Sequence, residues 1–157
     1  MTQDEGMGLA PGNVLGGGNF KTEEQRKSKD GRNFGPTAEK YFHLSEALEK
    51  IAKAKGTVLT SVALAYVLHK TPNVYPIIGG RKIEHLKGNI EALSLKLSKE
   101  DIQQIDSAAP FDVGFPMNFL WMGKTDGVST TDLGPADVTL LAANAHIKTT
   151  PKQLVRP

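Results

Sequence analysis

The sequence predicts an α/β fold in which two parallel strands are joined by helices. Two short apolar stretches, residues 7–11 and 74–78, end in proline or glycine, as strands do at turns. The chain between them contains two stretches with helical spacing of apolar residues. Strands connected through helices form a right-handed parallel crossover, the unit of barrels and doubly wound sheets, so the two strands should lie side by side.

The first predicted strand leads into a loop rich in glycine. Pro11-Gly12-Asn13 has turn chemistry, and Leu15-Gly-Gly-Gly18 continues the loop, either as a wrap around a ligand or as a flexible connector. Residues 19–40 are rich in charge and poor in apolar side chains. We therefore predict a flexible, solvated loop over this range.

Two helices are predicted next. From Leu44, apolar residues recur with the spacing of one buried helical stripe until Gly56. A second helix, from about Thr60 to His69, is apolar nearly all round. It should be buried on most sides.

The most informative stretch follows, at residues 75–89. It combines a strand expected to be buried on both faces, Gly79 and Gly80, the basic pair Arg81 and Lys82, and the start of a helix. Glycines let a backbone approach a ligand closely, and a helix N-terminus directs free N–H groups at an anion. The stretch predicts phosphate binding, although ordinary αβ turns share this composition.

Two more helices are predicted at 83–93 and 99–108. Ser98-Lys-Glu-Asp101 has the spacing of a capping box. Beyond Pro110 an apolar tail is interleaved with glycine and proline, and it either packs over a site or is exposed. Residues 138–145 could form a brief helix.

The composition narrows the class of partner. The formal net charge is +2, from 19 basic and 17 acidic residues, so no nucleic-acid or membrane partner is indicated. The absence of cysteine excludes disulfides and thiol chemistry. No apolar run approaches the roughly 20 residues of a membrane span, and the start lacks the pattern of a signal peptide. We expect a cytoplasmic protein.

Several motifs resemble the C-terminal part of the aldo-keto reductases: Gly6-Met-Gly-Leu-Ala-Pro11, Leu15-Gly-Gly-Gly18, Ala63-Leu-Ala-Tyr66, Ile77-Ile-Gly-Gly-Arg81 and Asn89-Ile-Glu-Ala-Leu93. The chain is most similar to the fungal aryl-alcohol dehydrogenase and norsolorinic acid reductase group, which also carries a segment like residues 110–116. The resemblance implies the last two parallel strands, with their helices, of a (β/α)8 TIM barrel that is incomplete as a barrel. Residues 1–119 would form this partial barrel, and 120–157 a C-terminal tail.

The resemblance also implies an NADP(H) site. Pro11 and Gly12, after the first strand, would touch the pyrophosphate, and the turn Gly79-Gly-Arg-Lys82 would hold the adenosine 2′-phosphate. His85 stands where the family has Arg or Gln, and Asn89 matches an Asn that reaches the adenine. A guanidinium binds phosphate bidentately, which favours NADP over NAD.

Two positions depart from the family pattern. Gly88 replaces an acidic residue near the adenine amine, so one hydrogen bond would be lost there. Gly12 stands where the subgroup has Trp, which would thin a wall of the cleft.

No catalytic residue is predicted, because the family's Asp, Tyr, Lys and His tetrad belongs to the N-terminal half of the barrel. Tyr41 and His43 are close in sequence but are expected on a helix surface rather than in acid–base work. Tyr66 is expected in the core, and His69 at a helix end. Trp121 would be a hydrophobic clamp or part of a lid.

Two hypotheses of function follow. The first is an NADP(H)-dependent oxidoreductase of aryl aldehydes or alcohols, or of polyketide carbonyls, that retains the cofactor-binding part and lacks the tetrad. Turnover would then need a complementing barrel half. The second is a catalytically inactive remnant or a protein-interaction module. Since two strands cannot close a barrel, open edges predict self-association.

Overall fold

The computed structural model describes residues 5–27, 39–112 and 114–115. Its regular elements are a 3-10 turn, Gly16–Gly18, and five α-helices: α1 (Glu23–Lys27), α2 (Glu39–Lys55), α3 (Leu59–Lys70), α4 (Ile83–Glu91) and α5 (Lys99–Ala108). All of these belong to one compact unit. A second unit begins at Pro110, and in its described part the Gly114 N–H donates to Asp112 Oδ1 at 2.9 Å.

The two predicted strand segments come together in parallel without forming regular strands. Leu9 and Val74 make an isolated parallel bridge. Three backbone hydrogen bonds join the segments, from Leu9 N to Asn73 O (2.8 Å), from Tyr75 N to Leu9 O (2.7 Å) and from Ile77 N to Pro11 O (2.9 Å). The side-by-side parallel arrangement is therefore present. The prediction of two full strands is wrong for the residues that the structure describes.

The sequence predicts that the second segment, residues 74–78, is buried on both faces. This prediction is wrong. Tyr75 is 67% exposed and Ile77 is 66% exposed. A parallel strand is buried when neighbouring strands flank it and helices cover both faces of its sheet. Within the described residues this segment pairs with residues 9–11 alone, so its alternate side chains face solvent.

The core lies between α2, α3 and α5. The predicted stripe of α2 is confirmed in Leu48, Ile51 and Ala52, which are buried against α3. The all-round apolar character of α3 is confirmed as well, because seven of its residues are buried, among them Val62 and Leu64. Burying a Leu or Val side chain contributes about 1.5–3 kcal/mol each, so the burial of α3 contributes several kcal/mol to stability.

Polar contacts fix α5 against the core. Its capping box forms as predicted: Asp101 N–H donates to Ser98 Oγ (3.2 Å), and Ser98 N–H donates to Asp101 Oδ2 (2.8 Å). The Asp101 carboxylate also pairs with Lys55 Nζ of α2 at 2.9 Å. At the other end of α5, Asp106 accepts hydrogen bonds from the Tyr66 hydroxyl and from Lys70 Nζ, both on α3.

The loop predicted over residues 19–40 contains the short helix α1. Thr22 and Gln25 cap it reciprocally, with Gln25 N–H donating to Thr22 Oγ1 and Thr22 N–H to Gln25 Oε1, each at 3.1 Å. Arg26 lies 4.8 Å from the centroid of the Phe42 ring, and Phe20 packs against the core. The Thr-x-x-Gln spacing is a capping signal that could have revealed this helix.

No described helix is by itself long and apolar enough to cross a membrane; α2 and α3, bent by 98° at their junction, meet that criterion only as a pair, by length and composition. The helix predicted at 138–145 and the tail predicted at 120–157 lie outside the described residues, so they stay predictions.

Replacing Asp101 by Asn should lower the free energy of unfolding by about 1 kcal/mol at pH 7, because the helix loses its charged cap and the pair with Lys55. Burial raises the pKa of Asp101, but the Ser98 N–H and the Lys55 ammonium outweigh it and lower the pKa below the usual value. The contribution is therefore complete above about pH 4 and is lost as the pH falls through the lowered pKa.

Denaturant unfolding of the wild type and Asp101→Asn between pH 2 and pH 8 tests this expectation. Gln103→Ala, an exposed change on the same helix, should be nearly neutral at every pH. If wild type and Asp101→Asn differ as much in their free energy of unfolding at pH 2 as at pH 7, the role assigned to the Asp101 charge is contradicted.

Candidate functional site

A cleft of about 750 Å³ lies where three segments of the first unit meet. The loop of residues 13–25 forms one wall, and the start of α3, residues 58–60, forms another. The third wall is the segment 77–89, which includes the turn before α4 and the first part of that helix. The most informative stretch of the sequence thus lies at a concave surface, where binding sites are usually found.

The turn Gly79-Gly-Arg-Lys82 approaches α4 closely at one point. A Cβ added to Gly80 would lie 2.8 Å from His85 Cβ, a distance that real Cβ atoms essentially never show. A Cβ at Gly79 would meet nothing within 4 Å. Glycine is therefore required at position 80, where the backbone passes close to His85. It is not required at position 79.

The beginning of α4 is open to an acceptor. Lys82 is its N-cap residue, with an extended backbone and no capping hydrogen bond from its side chain. The His85 N–H donates to Lys82 O at 3.1 Å, and the Arg81 N–H donates to His85 Nδ1 at 3.4 Å. The first N–H groups of a helix that lack a side-chain cap favour a negatively charged partner.

The charged residues lining the cleft are mostly basic. Lys21, Arg81 and Lys82 line it together with a single carboxylate, Glu84. In the part of the chain that the structure describes, neither Arg81 nor Lys82 takes part in a salt bridge. Both are exposed, so each can turn toward a bound anion without first breaking an ion pair.

The glycine-rich wall is a defined turn. Asn13, Gly16 and Gly17 adopt positive φ angles of 56°, 68° and 60°, a left-handed conformation that glycine accepts readily. The Gly16 N–H donates to Asn13 O at 2.9 Å, and Gly16 is buried, with a Cβ there lying 3.2 Å from the Phe20 ring. Between the two alternatives for this loop, the described residues favour a wall of the cleft over a flexible connector.

The floor of the cleft includes Asn89, which is only 7% exposed. The neighbouring Gly88 carbonyl accepts a hydrogen bond from the buried Ser61 hydroxyl at 2.9 Å, which ties α4 to α3. A Cβ at Gly88 would lie 3.4 Å from Ser61 Oγ, in ordinary contact. The packing of the two helices therefore does not by itself require glycine at position 88.

The structure brings together six of the eight predicted cofactor residues: the cleft is lined by Gly79, Gly80, Arg81, Lys82, His85 and Asn89. Pro11 and Gly12 do not line it. The Pro11 carbonyl accepts from Ile77 N, and a Cβ at Gly12 would meet nothing within 4 Å. That these residues bind a cofactor stays a prediction, while their placement on one surface is a fact of the fold.

The other candidate residues lie away from the cleft. His43 is on the surface of α2 between Glu39 and Glu46, at 3.8 and 3.9 Å, and Tyr41 packs its ring 5.9 Å from that of Phe20. His69, near the end of α3, contacts Ala65 O through Nδ1 and accepts from Leu97 N through Nε2.

Tyr66 is half-buried, as expected of a core residue. Burial first, and then the hydrogen bond and charge of Asp106, raise the pKa of the Tyr66 hydroxyl. Tyr66 therefore keeps its proton and acts as a structural donor. Trp121, the expected clamp or lid residue, lies outside the described part of the chain.

Several lining residues were not predicted as site residues, among them Phe20, Lys21 and Gln25. They belong to the loop that the sequence predicts to be solvated, residues 19–40. The capping pattern at Thr22 and Gln25 could have placed this segment against the rest of the fold.

Chemically, the whole arrangement suits an elongated anionic ligand, with a basic turn at one end and a buried amide beside it.

Comparison with known proteins relates this chain to one family. Residues 1–110 match the sequence profile of the Aldo/keto reductase family. The chain is 52% identical over 153 residues to norsolorinic acid reductase A of Aspergillus parasiticus, covering 98% of this chain and 39% of that protein. It is 45% identical over 159 residues to an aryl-alcohol dehydrogenase of Pestalotiopsis microspora, covering 100% of this chain and 40% of that protein.

A shorter relative is covered over most of its length. The chain is 50% identical over 129 residues to a putative aryl-alcohol dehydrogenase of Saccharomyces cerevisiae, covering 76% of this chain and 85% of that protein. Among solved structures, a thermostable aldo-keto reductase in complex with the inhibitor epalrestat superposes with a TM-score of 0.49 at 30% identity, covering 69% of this chain and 32% of that one.

Replacing Gly80 by Ala should distort the turn, because the new methyl group would have to displace the first turn of α4 at His85. We expect a loss of about 1–3 kcal/mol in the free energy of unfolding, as for other overpacked positions. Gly79→Ala is the matched control, since open space surrounds that position, and it should change stability by less than about 0.5 kcal/mol. Chemical denaturation of both variants measures the difference, and equal stabilities would refute the close approach.

Proposed function

The chain belongs to the aldo/keto reductase family, and we propose that it carries the adenosine-phosphate side of an NADP(H) site of an oxidoreductase. One observation supports this proposal above the others. In the described part of the chain, neither Arg81 nor Lys82 makes a salt bridge. Both lie beside the start of α4, whose N-cap side chain makes no capping bond, in a cleft lined by more basic than acidic residues. This is the combination that a phosphate monoester needs.

Each residue of the turn has a distinct part in the proposed site. The Arg81 guanidinium can bind two phosphate oxygens at once, whereas the Lys82 ammonium acts as a mobile point charge. A hydrogen bond to a charged group contributes about 1.5–3 kcal/mol, enough for a preference for NADP(H) over NAD(H). The buried amide of Asn89 has both a donor and acceptor for an adenine edge.

The loop after the first segment would serve the other end of the nucleotide. Pro11 and Gly12 remain proposed contacts of the pyrophosphate, because they precede the glycine-rich wall of the cleft. Nothing lies within 4 Å of a Cβ placed at Gly12, so a ligand could approach the backbone there. NADPH, when bound, supplies a hydride to a carbonyl carbon, and this chain's residues would hold and orient its adenosine half.

The substrate class follows the relatives. They are called norsolorinic acid reductases and aryl-alcohol dehydrogenases, so we propose an aryl aldehyde or alcohol, or a polyketide carbonyl, as the substrate in a cytoplasmic setting. Among the described residues, no tyrosine lines the cleft. The proton donor of carbonyl reduction would then come from outside them, for which a complementing barrel half is the proposed source.

A specific observation favours the second candidate function, an inactive remnant or interaction module. One face of α4 and its continuation carries an apolar stripe at helical spacing, and each of its members is more than half exposed: Ile83, Leu86, Ile90 and Leu93. Contiguous exposed apolar surface marks places where proteins associate. The stripe fits either a missing half of the proposed barrel or a second copy of the chain.

Titration of the purified chain with NADPH, followed by cofactor fluorescence, tests the first proposal. Saturable binding is expected, and Arg81→Ala should weaken it by about 10- to 100-fold through loss of a charged hydrogen bond. Lys87→Ala is the control, because Lys87 is exposed on the same helix and does not line the cleft. Absence of binding at millimolar NADPH, or equal effects of the two variants, would overturn the proposal.

Sedimentation over a range of protein concentrations tests the exposed stripe. The wild-type chain should associate as concentration rises, and the double variant Leu86→Glu, Ile90→Glu should remain monomeric, since charges placed on an apolar contact oppose its burial. Lys87→Glu, a charge change on the same helix, should associate like the wild type. A wild-type chain that stays monomeric at high concentration would contradict self-association through this stripe.

A further inference from the structure

We infer that His85 couples proton uptake to phosphate binding, so that the cleft holds the 2′-phosphate of NADP(H) more tightly when the imidazole is protonated. The inference rests on the proposed function, because it concerns the same turn. It adds a role that neither Arg81 nor Lys82 can have. Their side chains carry the same charge throughout the physiological range, whereas histidine changes its charge within that range.

The hydrogen bond between His85 and the turn supplies the coupling. The Arg81 N–H donates to His85 Nδ1 at 3.4 Å, which is possible only while Nδ1 carries no proton. This distance is long for a hydrogen bond of this type, so the bond is weak and is easily given up. Neutral His85 thus occupies one backbone donor of the turn that is proposed to bind phosphate.

Protonation would reverse this arrangement. A protonated imidazole has donors at both nitrogens and no acceptor, so the Arg81 N–H is released and Nδ1 becomes a donor itself. The turn gains two donors and one positive charge at the same time. An anion bound there therefore favours the protonated ring, and by reciprocity the protonated ring favours the anion to the same extent.

The packing keeps His85 at the turn. Gly80 passes so close to His85 Cβ that no side chain fits between them, and the His85 N–H is bound to Lys82 O. The base of the side chain is thereby fixed relative to the Gly80–Arg81 backbone. If the ring lay on a freely moving segment, its protonation would not depend on what the turn binds.

The charges around His85 are compatible with this role. The turn contributes Arg81 and Lys82, the helix itself contributes Glu84, and the opposite loop contributes Lys21. The start of α3 contributes only Val58, Leu59 and Thr60 to the cleft, none of them charged. A phosphate dianion bound among these residues would add negative charge near His85, and a nearby opposite charge favours the protonated imidazole.

The magnitude should be modest, since His85 is exposed to solvent. Interactions between exposed charges are worth up to about 1 kcal/mol, which corresponds to a change in affinity of about two- to fivefold. NADH has no 2′-phosphate and should show no such change. The two nucleotides share all other groups, so their comparison isolates the phosphate.

The experiment measures dissociation constants of NADPH and NADH between pH 5.5 and pH 8.5 for the wild type and His85→Gln. Glutamine can accept from the Arg81 N–H through its amide oxygen but does not titrate. The phosphate has its own ionisation near pH 6, and this affects both proteins equally. The ratio of wild-type to variant affinity for NADPH should rise about two- to fivefold as the pH falls from 8 to 6, and that for NADH should stay constant.

A second measurement follows the ring itself. In NMR spectra, saturating NADPH should move the titration midpoint of the His85 ring to higher pH, and leave those of the other three histidines unchanged. If NADPH binds, but the ratio of wild-type to variant affinity does not depend on pH and the titration midpoint of the His85 ring does not move, the proposed role of His85 is overturned. Failure of both nucleotides to bind at any pH would instead overturn the proposed function.

Discussion

The burial of α3 is the constraint on which the rest of the structure depends. This helix is apolar nearly all round, and it contacts α2 on one side and α4 on another. Its few polar groups serve as ties: Ser61 holds the Gly88 carbonyl of α4, and Tyr66 and Lys70 hold Asp106 of α5. Because α3 also contributes a wall of the cleft, the same packing that stabilises the fold fixes the distance between the basic turn and the glycine-rich loop.

Around this helix the surface divides into a side that carries the cleft with its basic turn and a side with exposed apolar residues. The basic residues of the turn face the cleft, whereas Ile83, Leu86 and Ile90 extend into solvent from the same short helix α4. A nine-residue helix with so little burial gains little from its own propensity. Its position is secured chiefly by the Ser61 hydrogen bond, by the buried Asn89 and by the close contact of Gly80 with His85.

The sequence predicted the parts of the fold that local patterns determine. The stripe of α2, the apolar α3 and the capping box at Ser98 and Asp101 were all recognised because helices carry their signal within a few residues. Strand character depends instead on partners distant in sequence. The apolar pattern of residues 74–78 therefore predicts burial, whereas among the described residues only 9–11 pair with this segment. The sequence predicted the glycines and the basic pair of the cleft. It did not predict that Phe20 and Lys21 line the cleft, because composition alone does not give the path of their loop.

Pro76 makes one edge of the exposed segment, residues 74–78, a poor partner for a further strand, because of the direction of the segment's hydrogen bonds. Tyr75 N and Ile77 N both point toward residues 9–11, so in an extended chain the intervening residue 76 points its backbone to the opposite edge. Proline has no N–H to offer there, and edge prolines discourage the addition of a further strand. Within the described residues, this edge of the segment therefore resists pairing with a further strand, so association would depend on side-chain surfaces, which can be selective for a partner in a way that a bare backbone edge cannot.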